Sequence, residues 1–190
     1  TYIGHHKKKL VFVFSAMRHF AQELRAAGWK LDYQRLDDEG AAPDLLTAAR
    51  RAMALHGSDQ IIVTEPGEWR LLNAFEAAKA QINIEILEDD RFICSRAAFA
   101  EWAADRKALR MEYFYREMRK KTGILMDKDA PAGGEWNYDK ANRKPPKAGL
   151  KPPKRPKLAA TDLTKDVMAL VSSRFAANFG AIDPFWHPVT

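Results

Sequence analysis

The run Ile61-Ile62-Val63-Thr64 constrains the fold of this chain more than any other feature. Four consecutive β-branched residues without polar alternation suit a strand buried on both faces, as in a parallel sheet covered by helices. The flanking sequence supplies helices. Residues 43–55 place Leu45, Leu46, Ala49 and Met53 on one helical face, and residues 68–80 do the same with Leu71, Leu72, Phe75 and Ala78. Residues 82–87 read as another strand, and residues 95–106 as a helix carrying Phe99, Trp102 and Ala103.

Upstream, residues 10–14 alone resemble a strand. A wider window shows Leu10, Val13/Phe14, Met17, Phe20/Ala21 and Leu24 at helical spacing, with Gly28 as a stop, which predicts a helix over residues 5–27 with a wide apolar face. Residues 29–36 then alternate, with Leu31 and Tyr33 against Asp32 and Gln34, and read as a strand. Helices and strands in strict alternation predict an α/β domain with a doubly wound parallel sheet over residues 1–122. Within it, Met111, Phe114/Tyr115 and Met118 share one face of a helix, while Glu112, Arg116 and Arg119 largely share another. Lys120-Lys121-Thr122-Gly123 ends that helix, whose apolar face needs cover.

Residues 123–160 read as an irregular, basic, Pro-rich linker, and residues 161–190 as the start of a further region. A helix over residues 164–175 is expected there, capped by Asp162 or Thr164. The charge is uneven. Residues 140–157 hold eight Lys/Arg, five Pro and no acid, so this stretch carries +8 of a net +6 and the remainder is about −2. Cations interleaved with proline and without aromatics predict a solvated, extended linker, with weak phosphate contact as the second reading.

The single cysteine, Cys94, excludes an intrachain disulfide and any cysteine-ligated zinc or iron–sulfur site built from this chain alone. No apolar run approaches the roughly 20 residues that span a membrane, and no leader pattern is visible, so the expected location is the cytoplasm. A start at Thr1, leading directly into a basic amphipathic segment, reads as a piece excised from a longer polypeptide.

In an open parallel sheet, ligands lie beyond the carboxyl ends of the strands. The loops leaving those ends, residues 36–40, 64–70 and 87–92, are all acidic. Neither G-x-G-x-x-G nor G-x-x-x-x-G-K-[ST] occurs, so a neutral or polyhydroxylated ring ligand suits these loops better than a nucleotide phosphate. The loop at 64–70 is the leading candidate, with Glu65, Glu68 and Trp69 around a Pro66-Gly67 turn. A purely structural reading has Glu68 capping the next helix and Trp69 packing on the sheet. Glu88-Asp89-Asp90 raises Mg²⁺, but adjacent acids at a strand end are commonly solvated. His5 and His6 diverge by roughly 100° on a helix and poorly share one ion. Cys94 reads as a small hydrophobe, and Ser15 and Ser95 lack a nucleophile-elbow context. No catalytic and no metal-ligating residue is assigned.

Several segments occur in a telling order: His5-His6-Lys7-Lys8-Lys9 with Phe14-Ser15-Ala16-Met17-Arg18-His19-Phe20, Val63-Thr64-Glu65-Pro66-Gly67-Glu68-Trp69-Arg70, Glu88-Asp89-Asp90-Arg91-Phe92, the run from Met111 to Arg119, and Gly133-Gly134-Glu135-Trp136-Asn137-Tyr138-Asp139 with Asn142-Arg143. Together they resemble the amino-terminal part of the deoxyribodipyrimidine photolyase-related proteins, the iron–sulfur bacterial cryptochromes and photolyases, over nearly the whole chain. The resemblance implies a photolyase-type antenna domain holding 6,7-dimethyl-8-ribityllumazine. It also implies a helical domain with FAD and a [4Fe–4S] cluster that repairs ultraviolet-damaged DNA, typically (6-4) lesions. Two departures stand out. The chain ends before the flavin domain, and two strands that precede Tyr2 in the family, with a Gly-Asp-Gln turn, are missing, which leaves the antenna domain incomplete at its amino terminus.

On that resemblance Tyr2, Val13, Glu65 and Trp69 are the expected antenna contacts, and the helix beginning at Met111 is expected to pack near the linker or the flavin domain. The expected function is light harvesting for a photolyase whose catalytic domain lies elsewhere. The alternatives are a cryptochrome photoreceptor that signals without repair and a small α/β ligand-binding module.

Overall fold

The computed structural model describes residues 3–190. In chain order the elements are α1 (Lys7–Ala26), α2 (Leu45–His56), β1 (Ile61–Thr64), α3 (Trp69–Ala78), β2 (Ile84–Leu87), α4 (Arg96–Ala103), α5 (Met111–Thr122), β3 (Met126–Asp127), β4 (Ala130–Pro131), α6 (Asp139–Asn142) and α7 (Asp162–Arg174). They form two compact units, residues 1–41 with 150–190 and residues 42–149.

In the unit of residues 42–149, Asp44 starts α2 by accepting from the Thr47 amide at 2.8 Å, and Gly57 ends it with φ +63°. β1 and β2 pair in parallel, Ile61 opposite Ile84 and Thr64 opposite Leu87. Ile61, Val63, Ile84 and Ile86 cluster with Leu46 of α2 and with Phe75 and Ala78 of α3. Ile62 on the opposite face stays exposed. The run that reads as buried on both faces is thus covered on one. The arrangement is mixed α/β with a two-stranded parallel sheet.

The other unit is built on α1 and α7. Leu10 and Val11 pack with Val167, Val171, Ile182 and Phe185. His6 caps α1, its Nδ1 accepting from the Lys8 amide at 3.1 Å. The same ring meets Phe179 edge-on at 5.3 Å, and Asn178 Nδ2 donates to the His5 carbonyl at 2.8 Å. The inward face of α1 is narrower than its composition suggests. Phe12, Val13, Met17 and Phe20 are exposed.

Residues 29–36 do not form the expected strand. Among the described residues no strand lies in that unit to accept its backbone hydrogen bonds, and an isolated strand cannot satisfy them. The segment instead closes in a turn in which Asp38 Oδ2 accepts from the Arg35 amide at 2.7 Å and the Asp38 amide donates to the Arg35 carbonyl at 3.3 Å. The cap of α7 is Thr161, not Asp162 or Thr164. Thr161 Oγ1 accepts from the Thr164 amide at 3.2 Å, so the helix begins at Asp162. Residues 126–131 hold the short antiparallel pair β3–β4, within the stretch 123–160 that the sequence reads as irregular.

Candidate functional site at the strand ends

Parallel pairing of β1 and β2 sets residues 64–67 beside residues 88–91, and the Glu65 amide donates to the Leu87 carbonyl at 2.8 Å. Ser95 caps α4 by accepting from the Ala98 amide at 3.1 Å. That places Arg96, the first residue of α4, over the loop: its Nη1 donates to Glu65 at 2.9 Å and its Cζ lies 5.5 Å from the Trp69 ring centroid. Trp69 opens α3 and is 64 % exposed, so it does not pack on the sheet. Glu68 occupies the cap position of α3 without capping it, because its carboxylate accepts from Arg70 Nε at 2.6 Å.

The loops are less anionic than their composition suggests. Arg91 Nε and Nη2 each donate to Asp89 at 2.7 Å, and this bidentate bond holds the Asp89 carboxyl below its ordinary value. The loops after β1 and β2 each carry an arginine paired with a neighbouring acid, Arg70 with Glu68 and Arg91 with Asp89.

Beside the strand ends opens a cleft of about 1600 Å³. Glu65, Asp89 and Arg96 are among its polar lining residues, and Phe92, Ile93, Met111 and Tyr115 among its apolar ones. α5 is fixed against α4 through Phe114, whose ring lies 5.3 Å from Phe99 and 4.9 Å from Trp102. The opposite side of α5 meets Trp136, over which Arg116 and Arg119 each lie at 5.4 Å. Arg119 is buried, donates to the carbonyls of Trp136 (3.3 Å) and Leu125, and leaves its Nε without a partner. Glu112 receives Arg116 Nε at 2.8 Å and Asn137 Nδ2 at 3.1 Å, which ties α5 to the loop after it.

Of the residues expected from sequence, Glu65 and Trp69 are brought together by Arg96. Val13 is an exposed residue of α1, in the other compact unit. Tyr2 lies outside the described residues. Sequence reasoning missed Arg96 and Ile93, and placed Phe92 only as the last residue of the 87–92 loop. The helical spacing of Met111, Tyr115 and Met118 was the one signal of the apolar wall. Among the described residues no cluster of His, Cys, Asp and Glu is arranged to hold a metal ion, and no helix is long and apolar enough to cross a membrane.

Comparison with known proteins turns this geometry into kinship. Residues 1–187 match the sequence model described as deoxyribodipyrimidine photo-lyase-related protein. The chain belongs to this family. A (6-4) photolyase of Agrobacterium fabrum (strain C58 / ATCC 33970) is 46 % identical over 192 aligned residues, covering 100 % of this chain. The chain spans 38 % of the length of that relative. An uncharacterized protein of Acanthamoeba polyphaga mimivirus is 27 % identical over 141 residues, covering 71 % of this chain and 69 % of its own length. The matched range, residues 1–187, includes the strand-end loops and α5.

Proposed function

We propose that this chain is the antenna-side portion of a cytoplasmic, light-dependent DNA photolyase of the (6-4) type. The observation that carries the reading is the 46 % identity to a (6-4) photolyase across the whole chain. In the longer protein, β1 and β2 belong to a doubly wound parallel sheet over residues 1–122, residues 123–160 link it onward, and residues 161–190 begin the flavin-binding region. Light harvested here passes as excitation energy to FAD.

The strand-end residues fit a ribityllumazine. Trp69 offers an exposed indole face for stacking, Glu65 a carboxylate that accepts from ribityl hydroxyls, and the cleft beside them an apolar wall. When bound, the lumazine supplies absorption of blue light. Tyr2 and Val13 are proposed as antenna contacts on the family resemblance alone. With one cysteine, this chain does not fit a four-cysteine iron–sulfur cluster, so the cluster and FAD belong to other parts of the longer protein. The partner is ultraviolet-damaged DNA, bound by the carboxy-terminal domain of the longer protein. Residues 140–157, basic and exposed throughout, contact its phosphates weakly and without sequence preference.

The test is the absorption spectrum of the complete protein together with repair of an ultraviolet-damaged oligonucleotide. Lumazine and flavin bands with repair in light and none in darkness support the reading. Chromophores without repair would indicate a photoreceptor instead, and a colourless protein would reject both.

A further inference from the structure

The unit built on α1 and α7 contains a second feature that the strand-end site leaves unused. A recess of about 460 Å³ is lined by Arg18, Gln22 and Arg25 of α1, Tyr33 and Arg35 of the segment that follows, and Asp166 of α7. Arg18, Gln22 and Arg25 follow at four- and three-residue steps and so share one helix face. The turn closed by Asp38 fixes the backbone at Arg35. Three guanidinium groups therefore line one recess.

Their internal partners are few. Arg18 is buried, with 9 % of its surface exposed, yet its one ion pair is a single contact of 3.5 Å from Nη2 to Asp37. Arg25 Nη2 donates to the Leu31 carbonyl at 3.3 Å. The Arg35 guanidinium has no ion-pair partner among the described residues. With so few partners the guanidinium groups keep N–H donors available to an incoming anion. Planar forks with several donors each match the oxygens of a tetrahedral oxyanion.

We propose that this recess binds a small phosphate monoester, with Arg18, Arg25 and Arg35 on its phosphate oxygens. Asp166, Gln22 and Tyr33 then face the organic part, where a carboxylate, an amide and a phenol suit hydroxyl groups. A nucleic-acid backbone is the other source of phosphate. It is met by cations spread along a surface, whereas these three surround one recess and share it with a carboxylate.

The experiment is calorimetric titration of the complete protein with ribose 5-phosphate, inorganic phosphate and an undamaged DNA duplex, at low salt. Arg25→Gln and Arg35→Gln are compared with Lys165→Gln, which removes a charge outside the recess; both arginines are exposed, so these changes spare the core. Saturable binding of ribose 5-phosphate, tighter than inorganic phosphate and weakened about tenfold by either arginine change but not by Lys165→Gln, supports the proposal. Absence of saturable binding overturns it. So does binding that all three variants weaken equally, or an effect of the arginine changes confined to the duplex. None of these results depends on lumazine occupancy or repair, so the antenna reading stands or falls separately.

Discussion

Arg96 holds Glu65 at 2.9 Å from its Nη1 while its Cζ lies 5.5 Å over the Trp69 ring, so one exposed guanidinium joins the ends of two elements. Its side chain is 58 % exposed, and solvent screens such a pair. Arg96→Ala is therefore expected to change stability by less than about 1 kcal/mol in a denaturant titration. Glu65→Ala and Trp69→Ala should each lower lumazine affinity of the complete protein about tenfold, the loss of one charge-assisted hydrogen bond or one stacking face. Unchanged lumazine absorption after gel filtration of both variants would remove this loop from the site.

Two valines on α1 provide a second prediction. Val11 is fully buried against Val167 and Val171, whereas Val13, two residues on, is exposed. Val11→Ala deletes two methyl groups and leaves a cavity, costing about 2 kcal/mol. Val13→Ala should stay within about 0.5 kcal/mol of wild type. Urea midpoints of the two variants test which face of α1 is inward. Equal losses would mean that both faces are covered.

This contrast shows where sequence is an incomplete guide. Helical periodicity locates α1, α3 and α5, because the stripes through Leu10, Leu72 and Met111 follow from local spacing alone. Periodicity does not say what covers a stripe. Val13, Met17 and Phe20 obey the same spacing as Leu10 and remain exposed. Residues 29–36 alternate as a strand should, yet strand formation depends on a neighbouring strand that local sequence does not encode. At the strand ends, Glu65 and Trp69 were legible because a loop after a β-branched run is a natural ligand position. Arg96 was not. Its role arises from α4 folding back over the loop, a separation of 31 residues.

A third prediction concerns pH. The Glu112 carboxyl is held below its ordinary value, first by the hydrogen bond from Arg116 and then by that from Asn137. Protonation thus favours the unfolded chain. The contribution of Glu112 is present above the ordinary carboxylate range and disappears as pH falls through its lowered folded value. Glu112→Gln should be less stable than wild type at neutral pH and converge with it in acid. Thermal melts of both proteins across pH 3 to 7 decide this; a gap of constant size would mean that the charge of Glu112 contributes nothing.

The last prediction uses two glycines with the same left-handed backbone and different surroundings. Gly28 has φ +87° with open space where a Cβ would stand; Gly180 has φ +83°, and a Cβ there would overlap the His6 ring. Backbone strain alone gives Gly28→Ala a cost of about 1–2 kcal/mol. Gly180→Ala bears the same strain and in addition pushes His6 away from the Lys8 amide that it caps, for a total of about 3 kcal/mol. His6→Ala on its own should cost about 1 kcal/mol through loss of the cap. If the ring is what the new methyl group strikes, the double variant His6→Ala/Gly180→Ala will be more stable than the sum of the two single changes predicts, since the clash and the cap can each be lost only once. Strict additivity in urea titrations would place His6 away from Gly180 and undo the contact by which the start of α1 is held to the carboxy-terminal segment.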